Sequence, residues 1–228
     1  MGTQVKFIGI GHKKQQGKDT LARSIQDFLD LSWVGSDIIP FALPLKILAQ
    51  DAFGLTQNQC WGSDSEKDTL TEVTLYDLGK DTRQSLDHLS ARRVLQETGV
   101  RMRECFPGIW CNAPFRREYS EDTEYVLIPD VRFPDEAEKI LSAGGDLIRI
   151  TRPGHVLDDD HESEHALDGF DRWTATVIND GDLTDMTRMG MEIALRLGSE
   201  GTVNSQENTE LILRTSTNSI SRKSNPRK

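Results

Sequence analysis

Short apolar runs and helical stripes alternate along most of the chain. Val5-Lys6-Phe7-Ile8-Gly9-Ile10 is rich in apolar residues and bounded by glycine, as buried parallel strands are. From Lys18 onward, Leu21, Ala22, Ile25, Phe28 and Leu29 recur at helical spacing. Ile38–Phe41 reads as a second strand, followed by a helix from Leu45 to Phe53 that Gly54 terminates. Residues 57–85 are polar and show no strand pattern, which predicts loops or short helices of an inserted subdomain. Ser90 is placed to cap a helix bearing Val94, Leu95 and Met102. Tyr125–Ile128 is a strand closing on Pro129-Asp130, and Pro134 opens a helix that stops at Gly144-Gly145. Leu147–Ile150 and Ala175–Ile178 are further strands, and a last helix runs from Leu183 to Leu197. Strands alternating with helices predict an α/β fold, a parallel sheet with helices on both faces. From Gly198 the composition turns to Ser, Asn, Thr, Glu and Arg. Residues 198–228 therefore read as a polar, flexible C-terminal tail, with one short helix or strand allowed at Leu211–Leu213, and residues 1–197 as the domain.

Composition narrows the partners. The chain has 228 residues and a mass of 25.7 kDa. Acidic residues number 37 against 27 basic, for a net charge of −10 and a pI near 5.0. Polymeric nucleic acid and membrane surfaces both carry phosphates that repel such a protein. The apolar runs are too short to span a bilayer, and Met1–Ile10 lacks a signal-peptide layout. Cys60, Cys105 and Cys111 share no metal-ligand or disulfide spacing. The expected location is the cytoplasm.

The strongest chemical signal is Gly11-His12-Lys13-Lys14-Gln15-Gln16-Gly17-Lys18-Asp19-Thr20, between a predicted strand and a predicted helix. A phosphate-binding loop needs glycine where backbone N–H groups turn inward, a helix N-terminus facing the anion, a lysine and a hydroxyl. Gly17, Lys18 and Thr20 fill those places. The usual first glycine would fall at position 12, where His12 stands, with Gly11 one place earlier. Asp19 stands where Ser or Thr usually follows the lysine. The loop residues expected to hold the nucleotide are Gly11, Lys13, Lys14, Gln16, Gly17, Lys18, Asp19 and Thr20. Asp130 closes a buried strand at its carboxyl end, where open α/β sheets place ligands, and an acidic residue there can hold Mg²⁺ directly or through water. Arg132 leaves the same edge with a guanidinium fork suited to phosphate; the plainer alternative is a salt bridge to Glu136.

These pieces resemble the phage-type deoxynucleoside monophosphate kinases. The resemblance is carried by Gly17-Lys18-Asp19-Thr20, by Asp130-Val131-Arg132-Phe133-Pro134-Asp135-Glu136, and by Gly144-Gly145 with Ile148-Arg149-Ile150 and Arg152. Leu95-Gln96 through Gly99, Arg103 and Trp110, and His161-Glu162-Ser163-Glu164, extend it across roughly residues 4–195. Gly99-Val100-Arg101 replaces the family's Gly-Thr-Glu. The resemblance implies a P-loop kinase fold with a substrate-binding insertion near 55–90 and a lid near 152–172. It implies ATP and Mg²⁺ as cofactors and a deoxynucleoside 5′-monophosphate as acceptor. Lys18, Asp130 and Arg132 would be catalytic, and Lys46, Lys67, Arg103, Trp110, Arg132 and Arg152 would bind substrate.

Plainer readings stand beside these. Lys46 and Lys67 also fit solvent-exposed lysines, and Trp61 and Trp110 fit core residues. Four arginines on one helix (Arg92, Arg93, Arg101, Arg103) are more often a solvated face than a site. His161-Glu162-Ser163-Glu164-His165 matches the zinc-protease string, but the preceding aspartates suggest a lid loop instead. Another small-molecule kinase of this fold, acting on dephospho-coenzyme A or phosphomevalonate, and a non-catalytic ATP-binding module are the competing functions. The oligomeric state, homodimer included, is open.

Overall fold

The computed structural model describes residues 5–79, 87–155, 162–200, 209–215 and 220–224. In chain order the elements are β1 (Lys6–Gly11), α1 (Lys18–Leu31), β2 (Gly35–Ile38), α2 (Leu43–Phe53), α3 (Gln57–Trp61), α4 (Asp64–Lys67), β3 (Leu70–Thr74), β4 (His88–Ser90), α5 (Ala91–Cys105), β5 (Thr123–Val131), α6 (Pro134–Ser142), β6 (Asp146–Thr151), β7 (Ala175–Ile178), α7 (Leu183–Glu200), β8 (Thr209–Arg214) and β9 (Ile220–Ser224). They form two compact units, one of residues 1–40 with 117–228, the other Phe41–Arg116.

The larger unit is an α/β sheet of seven strands in the order β2-β5-β1-β6-β7-β8-β9, parallel throughout except for the last pair. The central strands β1, β5 and β6 are largely buried on both sides, so their residues divide between two faces. Ile8, Ile10, Leu127, Ile148 and Ile150 join Leu21, Ile25 and Leu29 of α1 and Met186, Met189, Ile193 and Leu197 of α7 in one core. The Gly190 position shows how tightly these two helices meet: a Cβ there would lie 2.3 Å from the Cβ of Ser24. On the opposite face α6 lays Ile140 against Gly9 and Leu147. Helices therefore cover both faces, as the alternation of strand and stripe predicts.

Two expectations about this unit change. The second strand is Gly35–Ile38, not Ile38–Phe41; Pro40 has no N–H to donate, and Ile39 makes the last bond, to the Leu127 carbonyl at 2.9 Å. The segment read as a flexible tail contains β8, which continues the parallel sheet from Ala175↔Leu211 to Ile178↔Arg214, and β9, which pairs antiparallel with it. Leu211 and Leu213 are 2% and 1% exposed within the main core. Alternation supplies the reason: in Thr209–Arg214 both leucines point to one face, and two buried leucines offset the ordering of a short strand.

The Phe41–Arg116 unit packs α2, α3 and α5 with the β3–β4 hairpin around Ala49, Leu55, Cys60, Val73, Leu78, Ala91 and Val94. It is wider than the insertion expected at 55–90, because α2 and the whole of α5 belong to it. Reciprocal capping boxes start its two shortest helices, Thr56 with Gln59 and Ser63 with Glu66, and Ser90 caps α5 by accepting the Arg93 N–H. Among the described residues, no helix is long and apolar enough to cross a membrane.

Candidate active site

The carboxyl ends of β5, β1, β6 and β7 lie side by side, and the loops leaving them build the site. After β1, residues 12–17 curl so that α1 begins at Lys18. The curl needs left-handed backbone: Gly17 has φ +101°, and a Cβ there would lie 2.9 Å from the Asn179 amide nitrogen. His12 has φ +96°, the conformation a glycine adopts freely. The missing first glycine is thus a histidine in the glycine's backbone state, at a strain of about 1–2 kcal/mol. Its side chain is buried edge-on against Trp173, with Nε2 3.5 Å from both Arg149 Nη2 and Asp168 Oδ1. Burial first, and then the neighbouring cations Arg149 and Lys13, lower its pKa to about 4, so the ring is neutral at physiological pH.

Lys18 is buried, and its ammonium donates to the carbonyls of His12 (3.1 Å) and Lys13. Burial chiefly, then Arg132, lowers its pKa to about 8, against the opposing pull of Glu164, Asp19 and Asp130. A polyphosphate beside it favours the charged form and raises that pKa. Binding of a polyphosphate above pH 8 is therefore expected to take up a proton, and its affinity to fall as pH rises through about 8, by up to tenfold per unit. Titration calorimetry at pH 8.5 in buffers of different ionisation enthalpy checks this; zero proton uptake would place Lys18 away from the phosphates.

A cleft of about 520 Å³ opens beside this lysine. One wall is Gln15, Gly17, Lys18, Asp19 and Thr20; the other is Asn179, Gly181, Asp182, Leu183 and Met186, with Arg152 also lining it. Gln16 links the walls. Its side-chain oxygen accepts the Arg152 N–H, and its carbonyl accepts the Asn179 amide at 2.9 Å.

Arg132 follows β5, whose Val131 pairs with Gly11. The Glu136 carboxylate does not hold its guanidinium; it accepts the backbone N–H groups of Arg132 (2.8 Å) and Phe133 (3.1 Å), capping α6. The guanidinium instead meets Ser163 Oγ at 3.2 Å and the buried Glu164 carboxylate, which also accepts the Lys14 N–H at 2.6 Å. Glu164 thus links the loop after β1 to Arg132. Lys13 pairs with Asp168 at 3.0 Å, and His165 lies 3.4 Å from the same carboxylate. The 162–164 stretch is a single 3₁₀ turn, and Glu164 is committed to the Arg132 guanidinium and the Lys14 N–H, so the zinc-protease spelling has no helical setting; His161 lies outside the described residues. The lid expected at 152–172 likewise falls partly outside them.

In the other unit, Lys46 stands 5.4 Å over the Trp61 ring, and Lys46 and Lys67 both act on the buried Cys60 thiol, whose pKa burial raises. Trp110 is buried and donates its indole N–H to Gly99 at 3.0 Å, a core role. Arg92 is held by Asp64 and Asp68, Arg93 by Glu97, and Arg101 donates to the Leu78 carbonyl; Arg103 lies in the last turn of α5.

Sequence reading missed Asn179, Asp168, and the cleft wall at 181–186, and gave Glu164 no partner. Asn179 alone carried a signal, at the end of a strand next to the loop strands.

The deoxynucleotide monophosphate kinase family model matches residues 37–189. A protein of Acanthamoeba polyphaga mimivirus named "Putative deoxynucleotide monophosphate kinase" is 30% identical over 189 residues, 76% of this chain and 88% of that protein.

Proposed function

This chain belongs to the deoxynucleotide monophosphate kinase family, and from that premise we propose that it transfers the γ-phosphoryl group of ATP to a deoxynucleoside 5′-monophosphate. An acceptor phosphate oxygen bonds to the γ-phosphorus as the β–γ bridging bond breaks, giving ADP and the deoxynucleoside diphosphate. The observation that supports this most is the convergence at one sheet edge of Lys18, with its glycine-state loop, and Arg132, two phosphate-seeking cations just beyond the ends of the neighbouring strands β1 and β5.

The transfer asks for little covalent chemistry, so positioning and charge do the work. The cleft beside Lys18 takes ATP, with the loop N–H groups and the α1 N-terminus facing its phosphates. Lys18 follows the charge that develops on the moving group. Arg132 holds the acceptor phosphate, which competes with Glu164 for the same donors. Arg152 adds positive charge at the cleft. The oxygens of Thr20, Asp19 and Asp130 around Lys18 suit Mg²⁺, which binds through one or two carboxylates, waters and substrate phosphates. When bound, the ion neutralises phosphate charge and aligns the β- and γ-phosphates. In the Phe41–Arg116 unit, Lys46, Lys67 and Arg103 are assigned to the monophosphate on the family pattern. The enzyme works in the cytoplasm, where both nucleotides are dissolved.

Coupled ADP release across the four deoxynucleoside monophosphates, their ribo-counterparts, dephospho-coenzyme A and phosphomevalonate tests the reading. Turnover with deoxynucleotides supports it, and ATP binding without ADP from any acceptor overturns it. Arg132→Lys keeps the charge but loses the fork, so the KM for the monophosphate should rise about ten- to hundredfold with ATP affinity nearly unchanged. If Arg132 serves only as the partner of Glu164, the variant loses stability and keeps its kinetics.

A further inference from the structure

We propose that Thr215, in the segment whose sequence reads as tail, is a positioning residue for the ATP cleft. The proposal rests on the phosphoryl-transfer reading above. The cleft's second wall is the connection between β7 and α7, where Asn179, Gly181, Asp182 and Leu183 face the phosphate loop. This connection has irregular backbone, and its N–H groups need acceptors. Asp180 and Gly181 both donate to one atom, Thr215 Oγ1, at 2.9 and 2.8 Å. The same hydroxyl spends its single proton on Ile178 O or Asp180 Oδ1, each at 3.2 Å. The Thr215 N–H donates to Ile178 at 3.0 Å, and its carbonyl accepts from Arg188 of α7. Thr215 is fully buried, so water does not substitute for it.

The hold is transmitted. β8 pairs with β7 through Ile178↔Arg214, which puts Thr215 just past the end of β7. With 180 and 181 fixed, Asn179 is aimed at the Gln16 carbonyl, beside Gly17 and Lys18. Arg214 adds a partly exposed ion pair to Asp180 at 3.2 Å, while Asp182 and Asp185 exchange N–H bonds at the start of α7. Valine matches threonine in shape and keeps its strand preference, but leaves two N–H groups of the cleft wall without an acceptor. The expected fault is therefore a loose ATP wall in a folded protein.

The experiment compares the full-length protein with Thr215→Val and Thr215→Ser, using amide hydrogen exchange and steady-state kinetics. In the unaltered protein the Asp180 and Gly181 amides should be protected like those of the β7 ladder. T215V should release them and raise the KM for ATP about tenfold, with kcat and the KM for the monophosphate within about twofold; T215S should restore both. The proposal is overturned if those amides exchange freely in the unaltered protein, which needs no variant to fold. It is also overturned if T215V keeps the original ATP KM, or damages both KM values and kcat alike. Absence of turnover in the unaltered protein sinks the kinase reading instead, while hydrogen exchange still judges Thr215.

Discussion

Replacing Lys18 by alanine is expected to stop phosphoryl transfer while leaving the protein folded. Transition-state charge on the moving phosphoryl group needs a preorganised cation, and removing one such stabiliser costs about a hundred- to thousandfold in kcat. Lys18 is held for this work in a particular way. Its ammonium is buried, tied to the His12 and Lys13 carbonyls, and kept with a pKa of about 8 chiefly by burial. The side chain thus braces the loop, and under the proposed reading it also meets the phosphates, so the variant should bind ATP more weakly. Its midpoint of thermal unfolding should move by only a few degrees, because alanine removes a buried charge along with its two bonds. Single-turnover measurement of ADP formation, beside circular dichroism, decides. Near-normal turnover in a folded K18A protein would falsify the assignment of the loop.

Deleting the residues after Gly198 carries the largest expected stability effect, the reverse of what a polar tail predicts. The cut removes β8 and β9, and with them Leu211 and Leu213, which are almost completely buried. Burying two leucines contributes about 3–6 kcal/mol, before counting the ladder between β7 and β8. Domains of this size lose roughly 2–4 °C per kcal/mol, so the midpoint should drop by about 10–20 °C. The cut also bares the edge of β7, and the truncated protein should aggregate more readily. Differential scanning fluorimetry of the two forms checks this; midpoints within two or three degrees would show that the strand contributes nothing.

The contrast shows what could be read from sequence. β1, β5, β6 and β7 were legible because a strand buried on both faces is a continuous apolar run, and α1, α6 and α7 because their stripes have helical period. The loop was legible because phosphate binding depends on local backbone and a few residue types in a row. β8 was not, since two leucines amid polar residues make no run, and only the neighbouring β7 gives them something to cover. Glu164, Asn179 and Thr215 share one difficulty. Each is an ordinary polar residue whose role is set by a partner far along the chain: Arg132 and Lys14, Gln16, and Asp180 with Gly181. Arg132 was legible at its strand end, yet its closest acidic neighbour in sequence, Glu136, proved to serve the backbone. The breadth of the second unit was hidden because α2 alone looks like any short helix, and its packing against α5 leaves no local trace. Its capping boxes, Thr56 with Gln59 and Ser63 with Glu66, were readable signals that place α3 and α4 within a stretch whose composition predicts only loops or short helices.

The place of β1 in the sheet also bears on how the protein is made. It is synthesised before the other described strands, yet its two neighbours are β5 and β6: Phe7 pairs with Val126 and Gly9 with Leu147. All of residues 12–122 must be synthesised before the strand that leads into the loop has anything to pair with. Until then Phe7, Ile8 and Ile10 expose apolar surface, the kind of nascent segment that chaperones shield. Closing so long a loop is slow in topologies rich in distant contacts. The loop after β1 therefore becomes ordered late, only as the sheet closes around it.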